Sequence, residues 1–156
     1  IRESYDDVRE LLNNFRSNLS AENLSSAIEA VLDRFRRQTG MRVELQKDSQ
    51  GAPLQPDQQL QILFILQESL SNVRKHAQAS EVKVNVQNDR DFAMTVHDDG
   101  AGFDVTTVAQ KGDGHVGLRI MHERAERLAA QFSIISANQQ GTTISLHLKR
   151  EERLVA

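Results

Sequence analysis

An α+β two-layer sandwich, a mixed and mainly antiparallel sheet with helices on one face and a helical segment in front, follows from three properties of this chain. Helix-period and strand-period segments are interleaved along it. Links between successive strands are of hairpin length. Its 156 residues, 38 % of them hydrophobic, suffice for one domain with a real core. The 26 % of charged residues lie between periodic apolar positions, which separates the sequence from disordered chains.

Ile1, Tyr5, Val8, Leu12 and Phe15 fall at helical spacing, so an amphipathic helix is expected over residues 1 to about 17. "SAENLSS" offers several N-caps, and Leu24, Ala27, Ile28, Val31, Leu32 and Phe35 continue as a second helix ending near Gly40. "MRVELQ" alternates as a strand, and "KDSQGAPLQP" is a Gly/Pro loop. A third helix is expected from about Asp57, with Leu63, Leu66, Leu70, Val73 and Ala77 on one stripe. Its half "LQILFIL" is apolar nearly all round, which predicts burial on most sides.

"EVKVNVQ" and "DFAMTVHDD" alternate as two strands across a tight turn. "GFDVTTVAQKGDGH" then has no period, and a stretch of this length is usually a lid or a disordered segment. "GLRIMHERAERLAA" places Leu118, Met121, Ala125 and Leu128 on one helix face. The strands "FSIISAN" and "TTISLHLK", joined by "QQG", complete the sheet.

Several function classes are disfavoured at once. The net charge is −3 and basic residues alternate with acids, so nucleic acid is not an expected partner. No apolar run approaches the roughly 20 residues of a membrane span, so no membrane contact is expected of this stretch. The lack of cysteine excludes disulfides and thiolate chemistry and fits a cytoplasmic location. No HExxH occurs, and His115 and His122 are too isolated for a zinc site. The chain opens on Ile1 without a signal-peptide pattern, and the expectation is a fragment of a longer protein.

Four stretches carry chemistry. In "ESLSNVRKHA", Glu68 and Asn72 stand at i and i+4, with Lys75 and His76 one turn on. Such a row could hold hydrated Mg²⁺ and the phosphates it bridges, or be a solvated helix face. In "VHDDGAGF", Asp98 shares strand parity with Met94 and Val96 and so points with the core. There it needs a donor, such as an exocyclic amine, while Gly100 and Gly102 would let backbone approach a flat base; the competing reading is a plain turn. "GDGHVG" spells GxGxxG without a Rossmann or kinase context. What remains is an anion site at a helix N-terminus near Gly117, or a surface loop. In "GTT", Thr142 shares parity with Ile144, Leu146 and Leu148, so its hydroxyl should face inward, where such groups are usually satisfied locally.

In this order the four stretches resemble the N box, the two glycine boxes ("DDGAG", "GHVGLRIMHERA") and the closing Gly-Thr of the Bergerat-fold (GHKL) ATP-binding superfamily. "KHA" and "GLRIMHERAERL" look most like catalytic domains of bacterial sensor histidine kinases of the nitrate/nitrite-sensor type. The resemblance covers roughly residues 5 to 149. It implies ATP and Mg²⁺ as cofactors and the Bergerat fold for residues 18–150. Residues 1–17 would then be the end of a dimerisation and phosphoacceptor helix, and 151–156 a tail. It also implies that Asp98 accepts from adenine N6 with Thr142 in support through water, and that Asn72 binds Mg²⁺. Lys75 and His76 would reach phosphates, and Gly114, His115, Val116, Gly117 and Leu118 would contact the polyphosphate. Glu68 would be a polarising residue near the metal. The partners implied are a histidine-bearing bundle of the same dimeric kinase and a response regulator, with the full-length protein anchored in the inner membrane.

The family's phosphoacceptor, a histidine followed by an acid on a bundle helix, has no counterpart here. His97 precedes Asp98 but sits on a strand. The isolated chain is therefore expected to bind Mg·ATP without phosphorylating itself. The same boxes also occur in Bergerat ATPases, in serine kinases that bind sigma factors and in non-catalytic nucleotide sensors.

Overall fold

The computed structural model describes residues 23–49, 51, 54–104 and 116–153. The expected helix over residues 1–17 and the stretch 105–115, including Gly114 and His115, lie outside the described residues. The first described helix, α1, spans Asn23–Thr39 and leads to β1, Arg42–Ser49; α2, Pro56–Asn72, runs on into a π turn, Val73–Ala77. Strands β2 (Glu81–Asn88) and β3 (Phe92–Asp98) follow. The rest is α3 (Val116–Arg127), β4 (Gln131–Ser136), β5 (Thr142–Leu148) and the short α4 (Arg150–Arg153).

Helix boundaries have local causes. Gly40, at φ +71, takes the left-handed position after α1, and its N–H donates to Arg36 O at 2.8 Å. Pro56 opens α2, where a missing N–H costs nothing, and Gln58 Oε1 accepts from Gln55 N–H at 3.1 Å. The apolar run of α2 is buried at Ile62, Leu63, Phe64, Ile65 and Leu66, because α2 packs between α1 and α3 over the sheet. The burial predicted from that run is observed.

The sheet order is β1-β2-β3-β5-β4. Strands β1 and β2 are parallel, since α2 intervenes between them in sequence and supplies the crossover that parallel neighbours need. The other three pairs are antiparallel, so the sheet is mixed and mainly antiparallel, as expected.

Register then sorts the core face into rows. One row joins Leu45, Val84, Val96, Ile144 and Ile134; the next joins Lys47, Val86, Met94, Leu146 and Phe132. The third joins Val43 and Val82 to Asp98, Thr142 and Ser136. The face, apolar through most of these rows, thus turns polar along one edge. Asp98 is 4 % exposed and Thr142 8 %, so this polarity is buried rather than peripheral.

Candidate functional site

Period-two geometry sends the adjacent acids of "DDG" in opposite directions. Asp98 continues the parity of Phe92, Met94 and Val96 into the core face, and its Oδ1 accepts from Gly100 N–H at 2.9 Å. Burial pushes its carboxyl above the usual range, against the Gly100 hydrogen bond that lowers it. Asp99 points out and accepts from Ser80 N–H at 2.8 Å, Ser80 Oγ at 2.6 Å and Glu81 N–H at 2.9 Å. Those bonds, the Ser80 hydroxyl foremost, hold its carboxyl down at about 2. One acid therefore lies on the core face and the other ties the chain entering β2 to the end of β3.

The hydroxyl of Thr142 does face inward, as parity predicts, and lies 2.8 Å from Ser136 Oγ. Ser136 Oγ also accepts from Phe103 N–H at 2.9 Å and donates to Gly141 O at 3.1 Å. The glycines close these loops against one another. A Cβ on Gly102, at φ +66, would lie 2.1 Å from Ala137 O, and one on Gly141, at φ +74, would lie 2.2 Å from Asp98 O. Sequence reasoning gave Gly102 the task of admitting a flat base; the structure adds that its crowding comes from the β4–β5 turn. Gly100 is buried beside them.

The C-terminal end of α2 meets the first turn of α3. A Cβ on Gly117 would lie 2.9 Å from Glu68 Oε2, 3.5 Å from Asn72 Oδ1 and 3.8 Å from Asn72 Nδ2. Ser69 Oγ, whose proton goes to Ile65 O at 2.7 Å, lies 3.4 Å from Met121 Sδ, so the two helices are in close contact there. Glu68 is only 7 % exposed, so the row is not a solvated helix face at this position. Burial raises its carboxyl above the usual value, partly offset by the Lys75 cation.

Lys75 is exposed, and Lys75 and His76 both lie within the π turn, a rare widening of the helix that recurs at functional sites. Val116 opens α3, and the Leu118 side chain packs against the core. Only three residues separate the π turn from β2, and the start of β2 pairs with the Asp98 end of β3, so α2 leads the chain toward the strand end that carries Asp98 and Thr142. Among the described residues no three His, Asp or Glu side chains cluster as a metal site. An ion here would be held by the oxygens of Asn72 and Glu68 with water, a donor set that suits Mg²⁺.

Two contributors escaped sequence reasoning. Ser136 follows Phe132 and Ile134 at period two, a parity that would have placed it on the core face. The Asp99–Ser80 tie joins residues 19 apart and left no local pattern.

A model of the family described as histidine kinase-, DNA gyrase B- and HSP90-like ATPase matches residues 57–152. The sensor protein NarQ homolog of Haemophilus influenzae is 33 % identical over 92 % of this chain and 25 % of its own length. The nitrate/nitrite sensor protein NarX of Escherichia coli is 34 % identical over 90 % of this chain and 23 % of its own length. The chain thus spans about a quarter of these relatives. The histidine kinase domain from the Erythrobacter litoralis EL346 blue-light activated histidine kinase shares the fold, with a TM-score of 0.74 at 17 % identity. That match covers 97 % of this chain and 75 % of the other.

Proposed function

This chain belongs to the histidine kinase-, DNA gyrase B- and HSP90-like ATPase family, and on that footing we propose that it is the catalytic domain of a sensor histidine kinase of the nitrate/nitrite-sensor type. It binds Mg·ATP and donates the γ-phosphoryl group to a histidine on a dimerisation bundle of the same protein, upstream of a response regulator. The observation that carries the reading is the polar row ending the core face, with buried Asp98 beside Thr142, together with Asn72 and buried Glu68 against Gly117 where α2 meets α3.

In this reading Asp98 accepts from the exocyclic amine of adenine. Gly117 meets the polyphosphate at the helix N-terminus, where free N–H groups favour anions. Asn72, with Glu68, holds Mg²⁺, and Lys75 and His76 face the phosphates. The bound ion supplies charge neutralisation across the phosphate oxygens. An imidazole nitrogen of the bundle forms the new N–P bond as the β,γ P–O bond breaks, and ADP leaves. The domain's own contribution is to position these groups and keep competing water away.

Incubation with γ-labelled ATP, read under alkaline conditions that preserve phosphohistidine, tests the proposal. The chain alone should bind Mg·ATP without stable labelling. Mixed with a bundle bearing its cognate histidine it should label that bundle, and Asn72→Ala should abolish the transfer. Asp98→Asn should weaken ATP binding more than about tenfold, because a mismatched donor replaces a charge-assisted acceptor. Acid-stable label on the chain itself would point to a serine kinase, and phosphate release without labelled protein to a hydrolase.

A further inference from the structure

Ser136 stands at the end of the polar row with three contacts and one proton. A hydroxyl donates once and accepts up to twice. Phe103 N–H, at 2.9 Å, can only donate, so it occupies one lone pair. Gly141 O, at 3.1 Å, can only accept, so it takes the Ser136 proton. The 2.8 Å contact with Thr142 Oγ1 is then a hydrogen bond only if Thr142 donates it. All three contacts are satisfied in this one arrangement, and it leaves Thr142 Oγ1 with lone pairs alone. Across the register, Thr142 pairs with Asp98, whose ionised carboxylate is also acceptor-only.

We propose that Ser136 is a specificity-determining residue: by taking up the Thr142 proton it makes the Asp98–Thr142 edge purely accepting, so that the site selects 6-aminopurine over 6-oxopurine triphosphates. This rests on the reading of Asp98 as the adenine acceptor. A 6-amino group brings donors to that edge, directly or through a water whose protons point toward the protein. A 6-oxo group brings an acceptor and moves the ring's donor to N1–H; two facing acceptors at the 6-position leave one of them unpaired in a buried site, where the cost is greatest. Asp98 alone cannot enforce this, because a Thr142 hydroxyl free to rotate could serve an oxo group with its own proton. Ser136 removes that freedom without touching the ligand.

Calorimetry on the full chain with Mg·ATP and Mg·ITP, which differ at the 6-position and at N1, an acceptor in the first and an N–H donor in the second, tests this. Wild type should prefer ATP. Ser136→Ala frees the Thr142 proton and should lower the ATP:ITP affinity ratio about fivefold, the effect of one ordinary hydrogen bond. Ser136→Thr keeps the hydroxyl on a strand and should restore the ratio. In a Thr142→Val background, Ser136→Ala should leave the ratio unchanged, since no proton remains to redirect. Should Ser136→Ala fail to fold, Ser136→Cys, close in size and weak in hydrogen bonding, carries the same comparison.

Equal losses for ATP and ITP in Ser136→Ala would make Ser136 a scaffold and overturn the inference while the ATP reading stands. A wild-type chain that binds both nucleotides equally would overturn it as well. A wild-type chain that binds neither would overturn the ATP reading together with the inference.

Discussion

Adding one methyl group at Gly117 separates the working of the site from the stability of the fold. The new Cβ would stand 2.9 Å from Glu68 Oε2, where ordinary contact begins at 3.4 Å, so the carboxylate must retreat by about half an ångström. The Asn72 atoms, at 3.5 and 3.8 Å, need not move. Gly117 is helical, so Ala gains up to about 1 kcal/mol of helix propensity. Pushing a Glu side chain off its rotamer costs about 0.5–1.5 kcal/mol. These nearly cancel, and Gly117→Ala should melt within about 4 °C of wild type. Positioning is less forgiving: a displacement of about 1 Å can cost a hundredfold, so half of that should slow transfer to a histidine-bearing bundle about tenfold. Circular-dichroism melts with single-turnover labelling measure both. Wild-type transfer with an unchanged melt would refute the contact between Gly117 and working groups, and a collapse of stability would refute the idea that only a side-chain end must yield.

The two remaining predictions concern pH. Glu68 has its folded pKa raised by burial, so its ionisation costs stability as pH rises above the unfolded value; Glu68→Gln should melt higher than wild type at pH 7, with the gap closing toward pH 4, and a lower melt at pH 7 would contradict the burial argument. Asp99 has its folded pKa lowered to about 2, so its contribution is present above the ordinary 3.8 and is lost as pH falls from there toward 2. Asp99→Asn should therefore be less stable than wild type at neutral pH and converge with it near pH 2 in acid-unfolding curves.

What was legible in the sequence was whatever period and parity encode. Alternation put Asp98 and Thr142 on the core face, and both are buried there. The all-round apolarity of "LQILFIL" announced a helix packed on several sides, and Leu63 to Leu66 are buried accordingly. The mainly antiparallel character of the sheet was legible too, from the hairpin-length links between strands. Illegible were contacts that cross the chain. Gly117 touching Glu68 joins residues 49 apart, and a glycine's reason for being small is visible only once its neighbour is in place. Ser136 was legible by parity, but its role depends on where one proton goes, and that requires all three partners to be seen together. Motif order led to Asp98, Asn72 and Gly117; geometry alone led to Ser136.

The two buried carboxylates, Glu68 on α2 and Asp98 on β3, explain why the domain carries both a polar edge and crowded glycines. Each is held out of water, each has its pKa raised by that burial, and the cation that partly offsets the shift at Glu68, Lys75, is itself exposed. Removing a carboxylate from water without a complete set of partners costs stability, so a fold selected for stability alone would place Leu or Val in these positions. The surrounding structure holds them in place: Gly117 lets α3 close over Glu68, and Gly141 lets the β4–β5 turn close over the Asp98 backbone. Acceptors held rigid before a ligand arrives need no reorganisation when it does, and a buried acceptor gains more from a matching donor than an exposed one. The destabilisation at Glu68 and Asp98 is thus localised where a donor-bearing base and a hydrated cation would relieve it, which is the relation between strain and function that a nucleotide site requires.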